Sequence, residues 1–217
     1  MKSKSIISFL SYRAPYFIAG SLLFLLFTLF SYIVDRERFA QIDFDTTVKL
    51  QDHISRRLDD PFSSFSLLGS VEVSAVIFIL IYILSLRKLH RLLIISTFPL
   101  FHVFELIGKT IVHHPGPPFM FHRYSFDLTF PSFYVVTNYS YPSGHTGRTF
   151  LLCGILAFII YKSKISNVNK FILYSILAVV ALTMLVSRIY LGEHWLSDTI
   201  GGAILGLSFA LFTAFLW

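Results

Sequence analysis

Charged side chains are scarce in this chain, and their scarcity excludes most soluble folds. Only 14% of the residues are Asp, Glu, Lys or Arg, against about 25% in a typical soluble domain. Cys153 is the single cysteine, so an internal disulfide is excluded, and its place in an apolar run indicates a packing role. Together with a mean hydropathy of +0.70, the shortage of charge favours a membrane protein.

The net charge of +6 does not indicate a nucleic-acid-binding protein. Such proteins concentrate Lys and Arg in one patch, whereas here the basic residues are scattered between apolar runs. Basic residues in short loops are typical of the cytoplasmic side of membrane proteins. We therefore expect the membrane, and no nucleic acid, as a partner.

Apolar runs long enough to cross a bilayer recur along the chain. The first is interpreted as a retained helix, because it is too long for a signal peptide and no small-residue cleavage site follows it. The sequence predicts an all-α fold in which residues 1–217 form a single integral-membrane domain, a six-transmembrane-helix bundle. The predicted spans lie near residues 14–34, 67–86, 92–112, 143–161, 171–190 and 196–217.

Residues 35–66 are mixed in charge and are interpreted as a solvated or interfacial connector, broken at Asp59-Asp60-Pro61. The N-terminus, the 87–91 turn and the 162–170 link each contain three Lys or Arg. Six spans place all three on one side, and the positive-inside rule makes that side cytoplasmic. We expect a multi-pass protein of the plasma or inner membrane, with both termini cytoplasmic.

A first polar cluster lies near the end of the chain. His194 and Asp198 are four residues apart, which on one helix would place the carboxylate a turn from the imidazole on the same face. A carboxylate there keeps one ring nitrogen protonated and leaves the other free as a nucleophile or base. Arg188, just upstream, offers a fork of donors to a phosphate or carboxylate. Ionisable residues at membrane depth are candidate functional residues, because burying them in lipid is costly.

A second cluster begins the fourth span. Ser143-Gly144-His145 opens a helix whose free N–H groups and positive dipole end suit an anion. Ser143 either caps this helix or donates its hydroxyl to the anion, and Lys109 adds a cation from the third span. The six-span topology brings both clusters to one outward-facing rim. Such a cage suits a phosphoryl group in transfer, with one histidine attacking phosphorus and the other protonating the leaving oxygen.

These motifs resemble signatures of the type 2 phosphatidic acid phosphatase superfamily, which also contains vanadium haloperoxidases and glucose-6-phosphatase. The matching segments are Pro142-Ser143-Gly144-His145 and Ser187-Arg188-x5-His194-x3-Asp198. The resemblance implies that His194 is a nucleophile forming a phosphohistidine, that Asp198 orients it, and that His145 is first the general acid and then the base for water. It assigns phosphate binding to Lys109, Ser143, Gly144 and Arg188. No metal and no cofactor are implied.

The first family signature is incomplete here. It has the form Lys-x6-Arg-Pro, whereas Lys109 is followed by Gly116-Pro117, so the phosphate-binding arginine is absent. Arg148, three residues after His145 on the same helical face, and Arg123, in the long loop 113–142, are the candidates to replace it. Of the two, Arg148 is preferred.

Several other polar or small residues have structural interpretations. Glu105 either pairs with His102 or holds Lys109, four residues further on. The loop residues His113 and His114 are expected to face solvent and receive no role. Glu72 is interpreted as a structural anchor. Gly202 and Gly206 form a small-xxx-small pair typical of helix packing.

The sequence thus predicts an integral-membrane phosphatase that hydrolyses a lipid phosphate or diphosphate monoester at the outer leaflet. Undecaprenyl diphosphate, phosphatidylglycerol phosphate and phosphatidic acid all fit, because the head group can enter the rim while the tail stays in lipid. Two alternatives remain at this stage. A phosphotransferase of the same fold would pass the phosphoryl group to a lipid or sugar acceptor, and a non-catalytic carrier would use the same cage only to bind.

Overall fold

The computed structural model describes residues 2–85, 93–123, 137 and 139–217, with side chains described from residue 13 onward except at residue 85. This part of the chain is helical and contains no β-strand, as the all-α prediction requires. The basic turn 87–91 and most of the second half of the predicted loop 113–142 lie outside the described residues. The helices are α1 (Lys2–Asp35), α2 (Ala40–His53), α3 (Asp59–Ser66), α4 (Val71–Ser85), α5 (Thr97–Ile111), α6 (Gly144–Lys162), α7 (Asn167–Tyr190) and α8 (Leu196–Leu216).

Four of the described helices are long and apolar enough to cross a membrane: residues Arg13–Asp35 of α1, and the whole of α6, α7 and α8. They coincide with the predicted spans 14–34, 143–161, 171–190 and 196–217. The predicted second span 67–86 is not one straight helix, because Arg56–Gly69 and Val71–Leu84 meet at a bend of 51°. Counting this bent pair, the described residues hold up to five candidate spans.

The predicted third span, 92–112, begins outside the described residues, and its helix starts only at Thr97. With 15 residues, α5 is about 22 Å long at 1.5 Å per residue. The hydrocarbon core of a bilayer is about 30 Å thick. Helix α5 alone is therefore shorter than a full crossing.

Near their N-terminal ends, helices α6 and α8 pack backbone against backbone. Gly202 and Gly206 of α8 lie against the carbonyl oxygens of Ser143, the residue before α6, and of Gly147 on α6, with no room for a Cβ atom. The predicted packing role of the glycine pair is confirmed, and we call this contact the glycine interface. Since residue 202 meets 143 and residue 206 meets 147, the two helices run parallel and begin at the same end of the bundle.

Helices α1 and α5 run antiparallel to α8. Two hydrogen bonds fix the direction of α1: Arg13 Nη1 to Phe215 O at 3.2 Å and Ser208 Oγ to Gly20 O at 2.9 Å. For α5, Thr213 Oγ1 donates to Thr97 Oγ1 at 3.0 Å, and the ring of Phe101, one turn further along α5, lies 6.0 Å from that of Phe209, one turn earlier in α8. The C-terminal end of α5 consequently lies beside the N-terminal ends of α6 and α8. Aromatic side chains such as Phe27, Phe101 and Phe209 fill the core between these helices.

Residues 35–66 were predicted to be a solvated or interfacial connector, and the solvated alternative is wrong for α2. This helix packs against α7 and α8 and buries Asp43 and Thr47. Moreover, Asp59-Asp60-Pro61 begins α3 instead of breaking the preceding helix, which has already ended at His53. Proline is tolerated there because the N–H groups of a first helical turn have no partner within the helix.

Candidate functional site

The predicted site residues meet at one rim of the bundle. Lys109 lies in the last turn of α5, His145 in the first turn of α6 and Arg188 in the last turn of α7, while His194 precedes α8. His145 interacts electrostatically with Arg188, His194 and Lys109. Lys109 in turn interacts with Asp198. The structure therefore brings residues together that are up to 89 positions apart in the sequence, from 109 to 198.

The backbone ties the two halves of this rim together. Ser143 N–H, just before α6, donates to the carbonyl oxygen of Asp198 in α8 at 2.9 Å. At the α7 end of the turn before α8, the N–H groups of Glu193 and His194 both donate to the carbonyl oxygen of Arg188, at 3.1 and 3.2 Å. The turn between α7 and α8 is therefore anchored at both ends.

Asp198 contacts His194 through a helix cap. His194 Nδ1 lies 3.2 Å from Asp198 Oδ2, but His194 stands outside α8, whose N-cap is Trp195. Asp198 is the third residue of the helix, and its Oδ2 reaches back to accept the N–H of Trp195 at 3.0 Å. The prediction of a contact was therefore correct, whereas its explanation by a shared helix face was wrong. A capping box produces it instead.

This contact decides which nitrogen of His194 is free. Because Nδ1 faces a carboxylate, it carries the hydrogen, and Nε2 keeps its lone pair. Burial lowers the pKa of His194 below its usual value, although Asp198 acts in the opposite direction. The ring is therefore neutral at pH 7, the state that a nucleophile requires.

The first turn of α6 offers backbone donors. Ser143 occupies the N-cap position, but its hydroxyl makes no capping bond and instead lies 3.2 Å from Thr146 Oγ1. Of the two predicted uses of this hydroxyl, the capping one is thus not made. The N–H groups of a first turn have no partner within the helix. Gly144 and His145 are the first two residues of α6, so these donors lie directly beside the imidazole.

The Arg148 side chain is already held by a hydrogen bond and an ion pair. Its Nε donates to the carbonyl oxygen of Gly69 at 2.7 Å, and its Nη1 to Glu105 Oε2 at 3.0 Å. Both charged side chains are buried, with 4% and 7% exposure, and Glu105 Oε1 occupies the space where a Cβ of Gly144 would lie. Of the two predicted partners of Glu105, His102 bonds the carbonyl oxygen of Phe98 through Nδ1 at 2.9 Å and interacts with Glu105 electrostatically. Glu105 still attracts Lys109 electrostatically.

Two further contacts lie at the end of α7. Arg188 Nη2 lies 3.2 Å from Glu193 Oε2, a partner that the sequence did not predict because Glu193 stands at an unspecified position of the motif. The guanidinium carbon of Arg123 lies 5.1 Å from the centre of the Tyr190 ring, and the backbone N–H of Arg123 donates to Leu191 O at 3.0 Å. Arg123 is therefore held beside the turn that carries His194.

His114 is buried, contrary to the prediction that it faces solvent. Its Nε2 lies 3.2 Å from Ser197 Oγ and 3.6 Å from both Asp43 Oδ2 and Asp198 Oδ1. Its neighbour His113 is exposed, as predicted, and pairs with Asp35 at 3.0 Å. The sequence around His114 does not indicate that its side chain is buried, because the residues that bury it come from distant helices. Among the described residues, no group of three His, Cys, Asp or Glu is arranged to hold a metal ion.

Comparison with known proteins identifies a family and one curated relative. A family model of the PAP2 superfamily matches residues 89–217. Phosphatidylglycerophosphatase B of Bacillus subtilis (strain 168) is 33% identical over 72 residues. That match covers 33% of this chain and 36% of the relative, so it spans about a third of the relative's length.

Two crystal structures have a similar fold. One is the transmembrane PAP2 type phosphatidylglycerolphosphate phosphatase from Bacillus subtilis, with a TM-score of 0.69 and 20% identity over 89% of this chain and 93% of that one. The other is Aquifex aeolicus LpxE, with a TM-score of 0.59 and 23% identity over 79% of this chain and 94% of that one. At these identities the likeness shows the fold alone. Together with the long apolar helices, it supports an integral membrane protein.

Proposed function

Because the chain belongs to the PAP2 superfamily, we propose that it is a phosphatase that hydrolyses a lipid phosphate or diphosphate monoester. The observation that carries this proposal is the buried contact of 3.2 Å between His194 Nδ1 and Asp198 Oδ2. It leaves Nε2 free at a rim where His145 interacts with Arg188 and Lys109. A nucleophile, an acid and two cations are thus available to one phosphoryl group.

The first half of the reaction forms a phosphohistidine. His194 Nε2 attacks phosphorus, and the bond from phosphorus to the lipid oxygen breaks. His145, protonated at this stage, gives its proton to that oxygen, so that the lipid leaves as an alcohol or a monophosphate. Asp198 keeps the hydrogen on Nδ1 and stabilises the positive charge that develops on the ring.

The second half of the reaction hydrolyses the phosphohistidine and regenerates the unmodified protein. His145, now neutral, takes a proton from water while the water oxygen bonds to phosphorus. The bond from phosphorus to His194 Nε2 then breaks and inorganic phosphate leaves. Throughout, four groups hold the phosphoryl oxygens: Lys109, Arg188, the hydroxyl of Ser143 and the backbone at Gly144. Since these groups already supply positive charge and donors, the proposed chemistry requires no metal ion.

We place this site at the outer face of the membrane. The proposed domain comprises residues 1–217 with six crossing segments, in which the bent α3–α4 pair and the region of α5 supply the second and third. The basic residues of the N-terminus, of 87–91 and of 162–170 support cytoplasmic termini. Single cysteines in a Cys153→Ser background test this arrangement. A membrane-impermeant maleimide applied to intact cells is expected to label residue 120, in the loop after α5, and not residue 164.

The substrate is expected to be amphipathic, because the rim lies at the ends of apolar helices. The head group would enter among Lys109, Arg188 and the first turn of α6 while the acyl or prenyl chain stays in lipid. Phosphatidylglycerol phosphate is the first substrate to test, since the curated relative is named for that activity. Phosphatidic acid and undecaprenyl diphosphate complete the set.

A phosphate-release assay on the purified protein in detergent tests the proposal with these three lipids. We expect release without any acceptor, unaffected by EDTA and abolished in His194→Ala. Brief reaction with a radiolabelled substrate is expected to leave an acid-labile label on the protein, as a phosphohistidine would. Loss of activity in EDTA would refute the metal-independent chemistry. Label transfer that needs an added lipid or sugar would indicate a phosphotransferase, and binding without turnover would indicate a carrier.

A further inference from the structure

Two buried carboxylates meet at the N-terminal end of α8. Asp43 of α2 is 1% exposed and Asp198 of α8 is 0% exposed. Asp43 Oδ1 accepts the N–H of Ser197 at 2.8 Å, and its Oδ2 accepts the hydroxyl of Ser197 at 2.7 Å. Asp43 therefore binds the first turn of the helix that contains Asp198, at the positive end of the helix dipole.

His114 lies between these carboxylates. Its Nε2 is 3.6 Å from Asp43 Oδ2, 3.6 Å from Asp198 Oδ1 and 3.2 Å from Ser197 Oγ. The hydroxyl hydrogen of Ser197 is directed to Asp43, at the shorter distance of 2.7 Å. All three oxygens around Nε2 are consequently acceptors, so Nε2 must carry a hydrogen.

The two oxygens of Asp198 have different surroundings. Oδ2 faces three donors: the N–H of Trp195 at 3.0 Å, the hydroxyl of Ser140 at 2.8 Å and His194 Nδ1 at 3.2 Å. Oδ1 is buried and makes no hydrogen bond within the described part of the chain. The Nε2 hydrogen of His114 faces this second oxygen.

His114 is itself held in place. Its carbonyl oxygen accepts the N–H of Ser140 at 3.0 Å, and the same serine donates its hydroxyl to Asp198. Burial raises the pKa of Asp43 above its usual value; its bonds with Ser197 and the charge of His114 oppose this shift, while the charge of Asp198 adds to it. The imidazole is thus placed where it offsets repulsion between two buried acids.

We propose that His114, supported by Asp43, is a positioning residue that keeps the Asp198 carboxylate correctly rotated toward His194. Without its N–H, Oδ1 would face a buried carboxylate with nothing to separate their charges. The Asp198 carboxylate would then rotate, and its control of the His194 Nδ1 hydrogen would weaken. This inference rests on the proposed function, since it assigns His114 a part in activating the same nucleophile.

Four variants test the inference in the phosphate-release assay. His114→Gln keeps an N–H donor, because the glutamine amide nitrogen reaches the place of Nε2. His114→Asn keeps a polar side chain of similar size but its amide reaches only the place of Nδ1, and His114→Leu removes the donor altogether. His113→Leu is the matched control, since that neighbouring histidine is exposed and its side chain contacts Asp35 and the ring of Tyr139 rather than the two buried carboxylates.

We expect kcat to fall about tenfold or more in His114→Asn and His114→Leu, in line with the effect of removing an orienting group behind a reacting one. KM is expected to stay within about threefold, because the phosphate-binding groups are untouched. His114→Gln and His113→Leu are expected to keep kcat within about threefold of the unaltered protein. Detergent gel filtration checks that each variant is folded.

Each other outcome contradicts the inference in a different way. Unchanged kcat in both His114→Asn and His114→Leu would refute it, as would a rise in KM alone. A kcat in His114→Gln as low as in His114→Asn would also refute it. Loss of folded protein in both His114→Asn and His114→Leu would give His114 a structural role instead. Failure of the proposed function is distinguishable, because the unaltered protein would then release no phosphate from any of the lipids.

Discussion

Arg148→Ala is the substitution that separates a structural from a phosphate-binding role for this arginine. The side chain donates to Gly69 O at 2.7 Å and to Glu105 Oε2 at 3.0 Å, and both charged partners are buried. Removing the arginine would leave the Glu105 carboxylate without its ion-pair partner beside the first turn of α6. We therefore expect the main effect on stability.

The size of the effect follows from burial. Breaking a buried ion pair by removing one partner costs about 3–5 kcal/mol. For a chain of 217 residues, each kcal/mol shifts Tm by roughly 2–4 °C. Arg148→Ala is thus expected to lower Tm by about 6–20 °C, whereas Arg123→Ala, which loses a half-exposed ring contact of about 0.5–1 kcal/mol, is expected to lower it by about 1–4 °C.

The assay is thermal unfolding in detergent, followed by intrinsic fluorescence of Trp195 and Trp217 at one scan rate. The double variant Glu105→Leu/Arg148→Met completes the comparison, because it removes both charges and is expected to recover at least half of the lost Tm. KM of the folded Arg148→Ala protein is expected to stay within about threefold of its original value. A Tm within about 2 °C of the unaltered protein, with KM raised about tenfold or more, would refute this reasoning and make Arg148 the substitute for the missing family arginine.

Three further predictions concern the rim and the glycine interface. Asp198→Asn is expected to lower kcat by about 10³–10⁴-fold, because the amide favours the wrong tautomer of His194; a loss below about tenfold would contradict the role of the carboxylate. Gly206→Ala is expected to lower Tm by about 5 °C or more, since its Cβ would collide with the α6 backbone; an unchanged Tm would contradict the close packing. Burial lowers the pKa of His194 from 6.5, so the ring stays neutral as the pH falls below that value. The acid limb of the pH profile of kcat/KM is therefore expected below pH 6.5. A midpoint of that limb above pH 7 would contradict the assignment of His194 as the nucleophile.

The elements that could be predicted from the sequence are those marked by a pattern within one short segment. Spans α6, α7 and α8 appear as long apolar runs, and their order along the chain implies that Lys109, His145, Arg188 and His194 meet at one end. The glycine pair in α8 also has a recognisable spacing. These features need no knowledge of tertiary structure beyond alternation of direction across a bilayer.

The features that could not be predicted depend on partners brought in by folding. His194 and Asp198 have the spacing of a helix face, yet the turn at Gly192, with a φ of 71°, delays the start of α8, and the contact becomes a cap. Asp43 lies in a mixed-charge segment that appears solvated until α2 packs on α8. His114 is buried by that same packing, so its role depends on two segments that no sequence period connects.

The glycine interface sets a limit on how this protein can adapt. Where backbone meets backbone, no side chain is present to change rotamer, so the spacing between the two histidines cannot be tuned by conservative substitution along α6 or α8. Recognition of different head groups is therefore better adjusted at exposed positions of residues 113–123, such as Phe119 and Met120, than along the glycine interface. A mutant library intended to broaden substrate range is best confined to such exposed positions, with Lys109, His114, Gly147, Gly202 and Gly206 left intact.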